Sequence, residues 1–161
     1  MSEVDLLATG YGLTGGGVRA IAPVLEDLIS EASTEVQAVA YLIAPSAAPL
    51  INLMEKAAKR GVAVTLVVNR LANQNQRVQM KLRSLARDVP HFQVHDFNLP
   101  DQEIHAKVVV ADRKRAVVGS ANLSWGGMYG NYEIGLLVGG EVAWKLATLI
   151  DRIAFMCKLK S

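Results

Sequence analysis

The sequence predicts an α/β fold: a mixed β-sheet sandwiched between helices, in a single domain spanning residues 1–161. Three observations predict it. Short apolar runs rich in β-branched residues alternate with stretches whose apolar residues recur at helical spacing. Of the 161 residues, 51% are hydrophobic and 20% charged, which provides a substantial core and little disorder. No internal repeat, linker or low-complexity segment divides the chain.

The elements follow in order. Leu6–Thr9 reads as a first strand entering a turn at Thr14-Gly15-Gly16-Gly17. A helix near 17–32 carries Ile21, Val24, Leu25, Leu28 and Ile29 on one face. The run 35–43 is a strand. Leu50, Leu53, Met54 and Ala57 mark a second helix closing at Lys59-Arg60-Gly61. Residues 62–68 are almost continuously apolar, as in a central strand covered on both faces. A polar loop from Arg70 to Arg77 leads to a helix bearing Val78, Leu82 and Leu85, which Pro90 ends. Strands are expected at 91–96, 105–111, 115–120 and 134–138, with a turn at Asp112–Arg115. A closing helix at 141–158 places Val142, Leu146, Leu149 and Ile153 on one face, which should pack on the sheet.

The chemistry concentrates in His105-Ala-Lys107-Val-Val-Val-Ala-Asp112, followed by Gly119-Ser120-Ala-Asn122. A histidine and a lysine two apart on a strand point the same way. Imidazole, ammonium, hydroxyl and carboxamide gathered at one spot suit a phosphate: one nucleophile, one fixed cation and neutral donors. The spacing H-x-K-x4-D-x6-G-S-x-N resembles the HKD signature of the phospholipase D superfamily. The resemblance extends over nearly the whole chain, including Asn131-Tyr132-Glu133-Ile-Gly135, and is greatest to the small bacterial endonucleases that carry a single motif.

That resemblance implies a role for each residue. His105 attacks phosphorus and forms a covalent phosphohistidine, which water opens. Glu133 accepts the opposite imidazole N–H. Lys107 and Asn122 bind the non-bridging oxygens, with Ser120 adding a hydroxyl or orienting its neighbours. These groups supply the charge compensation found elsewhere in metal ions, so no metal or other cofactor is expected. Asp112 belongs to the motif's catalytic set, yet its place in a tight turn favours bonds to backbone N–H groups. With only one motif, a homodimer must bring two copies of His105 to one cleft, one as nucleophile and one as acid and then base.

Other residues are candidates for substrate contact. Trp125 follows Asn122 and suits either stacking on a base or wedging into a dimer interface. Arg70, Arg77 and the polar loop between them carry groups fit for backbone phosphates, and Tyr41 is expected near the same strand ends. His91 and His95 lack the further ligands a metal site needs; His95, nearer the motif, is placed beside the cleft. The glycine-rich turn at 14–17 lacks the lysine tail of a phosphate loop.

Charge points the same way. Residues 1–55 hold seven acids against one base, Arg19, whereas Lys56 to Arg87 hold eight bases and no acid. That asymmetry favours a polyanion, nucleic acid, with DNA placed ahead of RNA; the alternative is that the bases decorate solvated helix faces. The lone Cys157, the acidic start Met1-Ser-Glu3-Val-Asp5 and the absence of a membrane-length apolar run lead us to expect a cytoplasmic protein with no membrane contact. The leading function is a metal-independent endonuclease. The alternatives are a phospholipase or transphosphatidylase, and a nucleic-acid-binding subunit of a bacterial defence or repair complex.

Overall fold

The computed structural model describes residues 4–160. Eight strands form one sheet in the order β2-β1-β8-β7-β6-β3-β4-β5. The strands β3 (Glu35–Ala40), β4 (Ala63–Asn69) and β5 (Phe92–Phe97) run parallel. Antiparallel pairs join β3 to β6 (Val108–Ala111), β6 to β7 (Arg115–Gly119), β7 to β8 (Glu133–Gly139) and β8 to β1 (Val4–Thr9). The two-residue β2 (Arg19–Ala20) flanks β1 in parallel. A mixed sheet between helices is therefore the architecture, as expected.

The parallel crossovers from β3 to β4 and from β4 to β5 each run through a helix, Ala48–Lys59 and Gln76–Asp88, which the sequence supplies. The helices α1 (Ile21–Ser30), α2 (Ala48–Lys59) and α3 (Gln76–Asp88) bury their apolar stripes against one sheet face. The Arg60 guanidinium donates to the carbonyls of Ile29, Ser30 and Ala32, satisfying the end of α1. The helix α4 (Gly140–Lys160) lies alone on the other face. No helix among the described residues is long and apolar enough to cross a membrane.

Several boundaries differ from expectation. The first helix begins at Ile21, because 17–20 form a turn and the short β2. The third strand stops at Ala40, after which Ile43 bridges to Leu123. The strand expected from 105 begins only at Val108.

The largest difference lies on α4. It buries Ala143, Ala147, Ile150, Ala154 and Cys157, and leaves Val142 and Leu149 half exposed. The expected face and the observed one are adjacent stripes of the same helix. Small residues let the helix axis approach the sheet closely, and dispersion falls off steeply with any gap. Asp151 on one flank reinforces this seating: it accepts from Gln37 at 2.7 Å and pairs with Arg113 at 2.9 Å.

Candidate active site

The C-terminal ends of β3, β4, β5 and β7 and the starts of β6 and β8 share one end of the sheet, where open α/β sheets bind ligands. The segment 98–104 carries the chain from β5 to His105 across this end. Buried Asn69 at the end of β4 accepts the Ile104 N–H at 2.9 Å. Arg70, next to it, adopts a left-handed backbone at φ 42°. Its guanidinium donates to Asn98 Oδ1, Leu99 O and Gln102 O at 2.9–3.1 Å. Arg70 is thus a strap on the segment leading to His105, and the phosphate contact expected of it is corrected to this role.

His105 and Lys107 precede β6, which begins at Val108, so they are held by their own contacts and not by a strand ladder. Lys107 Nζ lies 3.1 Å from His105 Nδ1 and donates to the His105 carbonyl at 2.9 Å. The Tyr41 ring packs against the imidazole with centroids 4.2 Å apart, and Lys107 Nζ sits 5.4 Å from its centre. Partial burial lowers the pKa of Lys107, and the carboxylate of Glu133 works against that shift. An ammonium only donates, so this contact is a hydrogen bond in the tautomer whose Nδ1 accepts.

Ser120 and Glu133 form a second unit. Ser120 Oγ donates to Glu133 Oε2 at 2.5 Å and accepts the Ile134 N–H at 3.1 Å. Asn131 Nδ2 donates to the other Glu133 oxygen at 3.3 Å. The imidazole contact expected of Glu133 is absent here: its carboxylate holds Ser120 and Asn131, and Lys107 occupies His105 Nδ1. Asn122, Gly119 and Lys107 line one small void of about 20 Å³, and Asn122 Oδ1 is buried without a partner among the described residues. Two glycines permit this compactness. A Cβ at Gly119 would meet Ile134 O at 2.6 Å, and one at Gly127 would meet Asn122 O at 2.1 Å.

Asp112 is not brought to this site. It ends β6 at the opposite end of the sheet, about 20 Å from His105 at strand rise. Its carboxylate accepts the N–H groups of Ser33, Thr34 and Glu35 and both nearby hydroxyls. Grouping it with the catalytic residues is therefore corrected: it cannot touch a substrate bound at His105.

Trp125 is 62% exposed on the loop leaving Asn122, with its N–H donating to Ser46 Oγ at 2.8 Å. Arg77 lies exposed in the first turn of α3, where the Asn75 side chain caps its N–H. The loop between Arg70 and Arg77 is less available than expected. Gln74 is buried, bonding Ile43 N, Tyr41 O and Asn69 O and so tying the ends of β3 and β4 together. His95 pairs with Val67 on the α4 side of the sheet and bonds Gln93 at 3.2 Å, and burial and neighbouring Lys158 lower its pKa.

The basic run is also largely consumed by the fold. Lys59 and Lys81 pair with Glu55, Arg87 with Asp88, and Arg60 and Arg70 bind carbonyls. Lys56, Arg77 and Arg83 remain, and of these Arg77 stands in the first turn of α3, at the site end of the molecule. Sequence charge alone could not separate a cation that holds the fold from one that is free to bind.

Comparison with known proteins decides the family. The family model described as "Cardiolipin synthase, PLD-like domain" matches residues 25–154. The chain belongs to the phospholipase D-like family. DISARM protein DrmC of Bacillus paralicheniformis is 28% identical over 143 residues, 87% of this chain and 58% of that protein. Cardiolipin synthase A of Proteus mirabilis is 30% identical over 92 residues, 57% of this chain and 19% of that one. The chain thus spans less than two thirds of either relative.

Among solved structures, Nuc from Salmonella typhimurium, a phospholipase D family member, matches with a TM-score of 0.73 at 20% identity. It covers 92% of this chain and 91% of its own. NucT from Helicobacter pylori matches with a TM-score of 0.68 at 22% identity, covering 81% and 85%. The fold is therefore shared over most of the chain, and His105, Lys107 and Asn122 lie where its strand ends converge.

Proposed function

We propose that this chain is a metal-independent phosphodiesterase that cleaves nucleic acid through a phosphohistidine at His105, acting as a homodimer. The carrying observation is the convergence of His105 and Lys107 at 3.1 Å, beside Asn122 and the Ser120–Glu133 pair. An incoming phosphate draws Lys107 off Nδ1 onto a non-bridging oxygen, which frees Nδ1 to take the ring proton. Nε2 then attacks phosphorus, the N–P bond forms, and the P–O bond to the leaving sugar breaks. The alkoxide takes a proton from the partner's His105. Water then attacks phosphorus, gives its proton to that second imidazole, and breaks the N–P bond. Lys107 and Asn122 compensate the charge of the trigonal-bipyramidal state.

The dimer is supported by a bare apolar surface beside the site. Leu6 of β1 and Ile134 and Leu136 of β8 share the sheet face on which α4 lies, and they remain exposed. The α4 flank opposite Asp151 adds Val142, Leu149 and Met156. Monomers rarely expose a contiguous apolar patch of more than a few hundred Å², and a stable interface needs about 800 Å² per partner. Joining two such faces sets two Glu133–Ile134 edges near each other. Leu149→Asp combined with Ile134→Asp is expected to convert the dimer to monomer in sedimentation. Cleavage should fall at least about 100-fold while the circular dichroism spectrum is kept.

The function is tested by incubating the protein in EDTA with labelled single- and double-stranded DNA and RNA. Cleavage that survives chelation and is absent in His105→Ala carries the reading; cleavage equal in both sinks it. DNA stands ahead of RNA, and the setting is the cytoplasm, consistent with a buried reduced thiol at Cys157. A second reading, a subunit of a bacterial defence complex, is favoured by the likeness to DISARM protein DrmC. It predicts salt-sensitive DNA binding without turnover. The likeness to cardiolipin synthase A favours instead lipid phosphodiester exchange, which the same assay run on anionic vesicles would reveal.

A further inference from the structure

A cavity of about 250 Å³ opens between α2 with the turn before it and the first two turns of α3. Ile43, Pro45, Ile51, Val78 and Leu82 form its walls. Three polar side chains stand among the lining residues: Asn52, Lys81 and Arg77. Lys81 is held by Glu55 at 2.9 Å, a carboxylate that also pairs with Lys59. The side chains of Arg77 and Asn52 have no partner among the described residues. The fold has therefore left one apolar slot with one free cation and one free amide on its lining.

The slot is joined to the active site by the backbone itself. Ala44 N–H donates to Leu123 O at 2.8 Å, and Trp125 N–H donates to Ser46 Oγ at 2.8 Å. The loop leaving Asn122 thus rests on the turn that walls the cavity, at most about 10 Å of chain from the phosphate-binding amide. Trp125 on that loop is exposed, its ring lying over Gly130. We propose that this cavity is a nucleobase subsite, taking one unstacked base of a single-stranded nucleic acid about two nucleotides from the scissile phosphate.

The chemistry of the occupant follows from the walls. A base presents apolar faces to Ile51, Val78 and Leu82 and a polar edge to Asn52. Its phosphate meets Arg77. The volume falls below the ~300–1,000 Å³ of sites for drug-sized ligands, so one ring system fits and a pair of acyl chains does not. A base paired in a duplex cannot enter without unstacking, which costs a few kcal/mol and selects against double strands. This inference rests on the nuclease reading and names the substrate form that reading leaves open.

The experiment measures binding and cleavage separately. The full-length His105→Ala protein is titrated by anisotropy with a single-stranded oligonucleotide, its duplex, and a series carrying one abasic position each. Single strand should bind at least about tenfold tighter than duplex, and one abasic position should weaken binding about tenfold. In an Ala48→Phe variant, which fills the slot, that position should lose its effect. Arg77→Ala, exposed and without a role in the core, should lower the salt slope of binding by about one.

A flat abasic series with binding intact overturns the subsite, as does a position effect that persists in Ala48→Phe with an unchanged melting temperature. Should Ala48→Phe not fold, Asn52→Ala takes its place and should alter which base is preferred at the sensitive position. Wild-type cleavage with a flat series would sink the subsite and leave the nuclease reading standing. A position-specific series in a protein that cuts nothing would do the reverse.

Discussion

His105→Ala is expected to abolish phosphodiester cleavage, with kcat falling on the order of 10⁴–10⁶-fold, the range seen when a covalent nucleophile is removed. Stability should barely move, within about 0.5 kcal/mol, because His105 is exposed and its ring meets the Tyr41 ring and Lys107 Nζ near the surface. That separation makes the substitution decisive: a folded, dimeric and inactive variant assigns the chemistry to the imidazole. Acid quenching of wild type during turnover should also trap a labelled protein that the variant never forms. Loss of rate without a trapped intermediate in wild type would argue against covalent catalysis.

The pH–rate profile should be bell-shaped, since one imidazole must be neutral while its mate is protonated. Lys107 adds a limit on the alkaline side. Its pKa is lowered by burial, so it loses its charge at lower pH than an exposed lysine, and phosphate binding weakens as pH rises. Lys107→Arg, which keeps its charge throughout, should remove that limb even where its longer fork lowers the maximum rate. An unchanged alkaline limb would mean that another group sets it.

Asp112→Ala is expected to cost about 3 kcal/mol of stability and to spare the chemistry. The carboxylate serves three N–H groups and two hydroxyls, and bonds to a charged acceptor are worth about 1.5–3 kcal/mol each before neighbours adjust. For a chain of this size the loss lowers Tm by about 6–12 °C. Burial works against the anion, but the N–H groups of Glu35, Ser33 and Thr34 outweigh it and hold the carboxyl well below the usual range. The sign follows from that depression. The stabilisation is fully present above about pH 4, where the unfolded carboxyl is ionised, and drains away as pH falls further. Thermal melts of wild type should therefore steepen downward below pH 4, whereas those of Asp112→Asn should be flatter. Cleavage measured well below the lowered Tm should remain, because Asp112 is a sheet's length from His105. A variant that melts normally but has lost its activity would reverse this assignment.

Much of the site was legible because the chemistry is local. Six motif positions lie within 18 residues of chain, and any fold that pairs β6 with β7 returns Ser120 and Asn122 to the neighbourhood of Lys107. The alternation of strands and helices was legible for the same reason, since hydrophobic period is a property of contiguous residues. Arg70 and Gln74 were not legible as structural residues. Their partners at 98–102 and 41–43 are distant in sequence, and a polar side chain does not announce whether it will meet water, substrate or a buried carbonyl.

The closing helix states the division most sharply. Its sequence contains two adjacent apolar stripes, Val142-Leu146-Leu149-Ile153 and Ala143-Ala147-Ile150-Ala154. By itself the sequence determined that this segment is an amphipathic helix, that the chain folds as a mixed α/β domain, and that imidazole and ammonium meet. Only the tertiary structure decided which stripe lies on the sheet, because that choice depends on how closely the helix can approach valines from β3, β4 and β6. The alanine stripe packs more closely, and the larger side chains are left outward. The same kind of decision, taken between elements and not within them, sent Asp112 to the far end of the sheet and left Arg77 free beside a cavity.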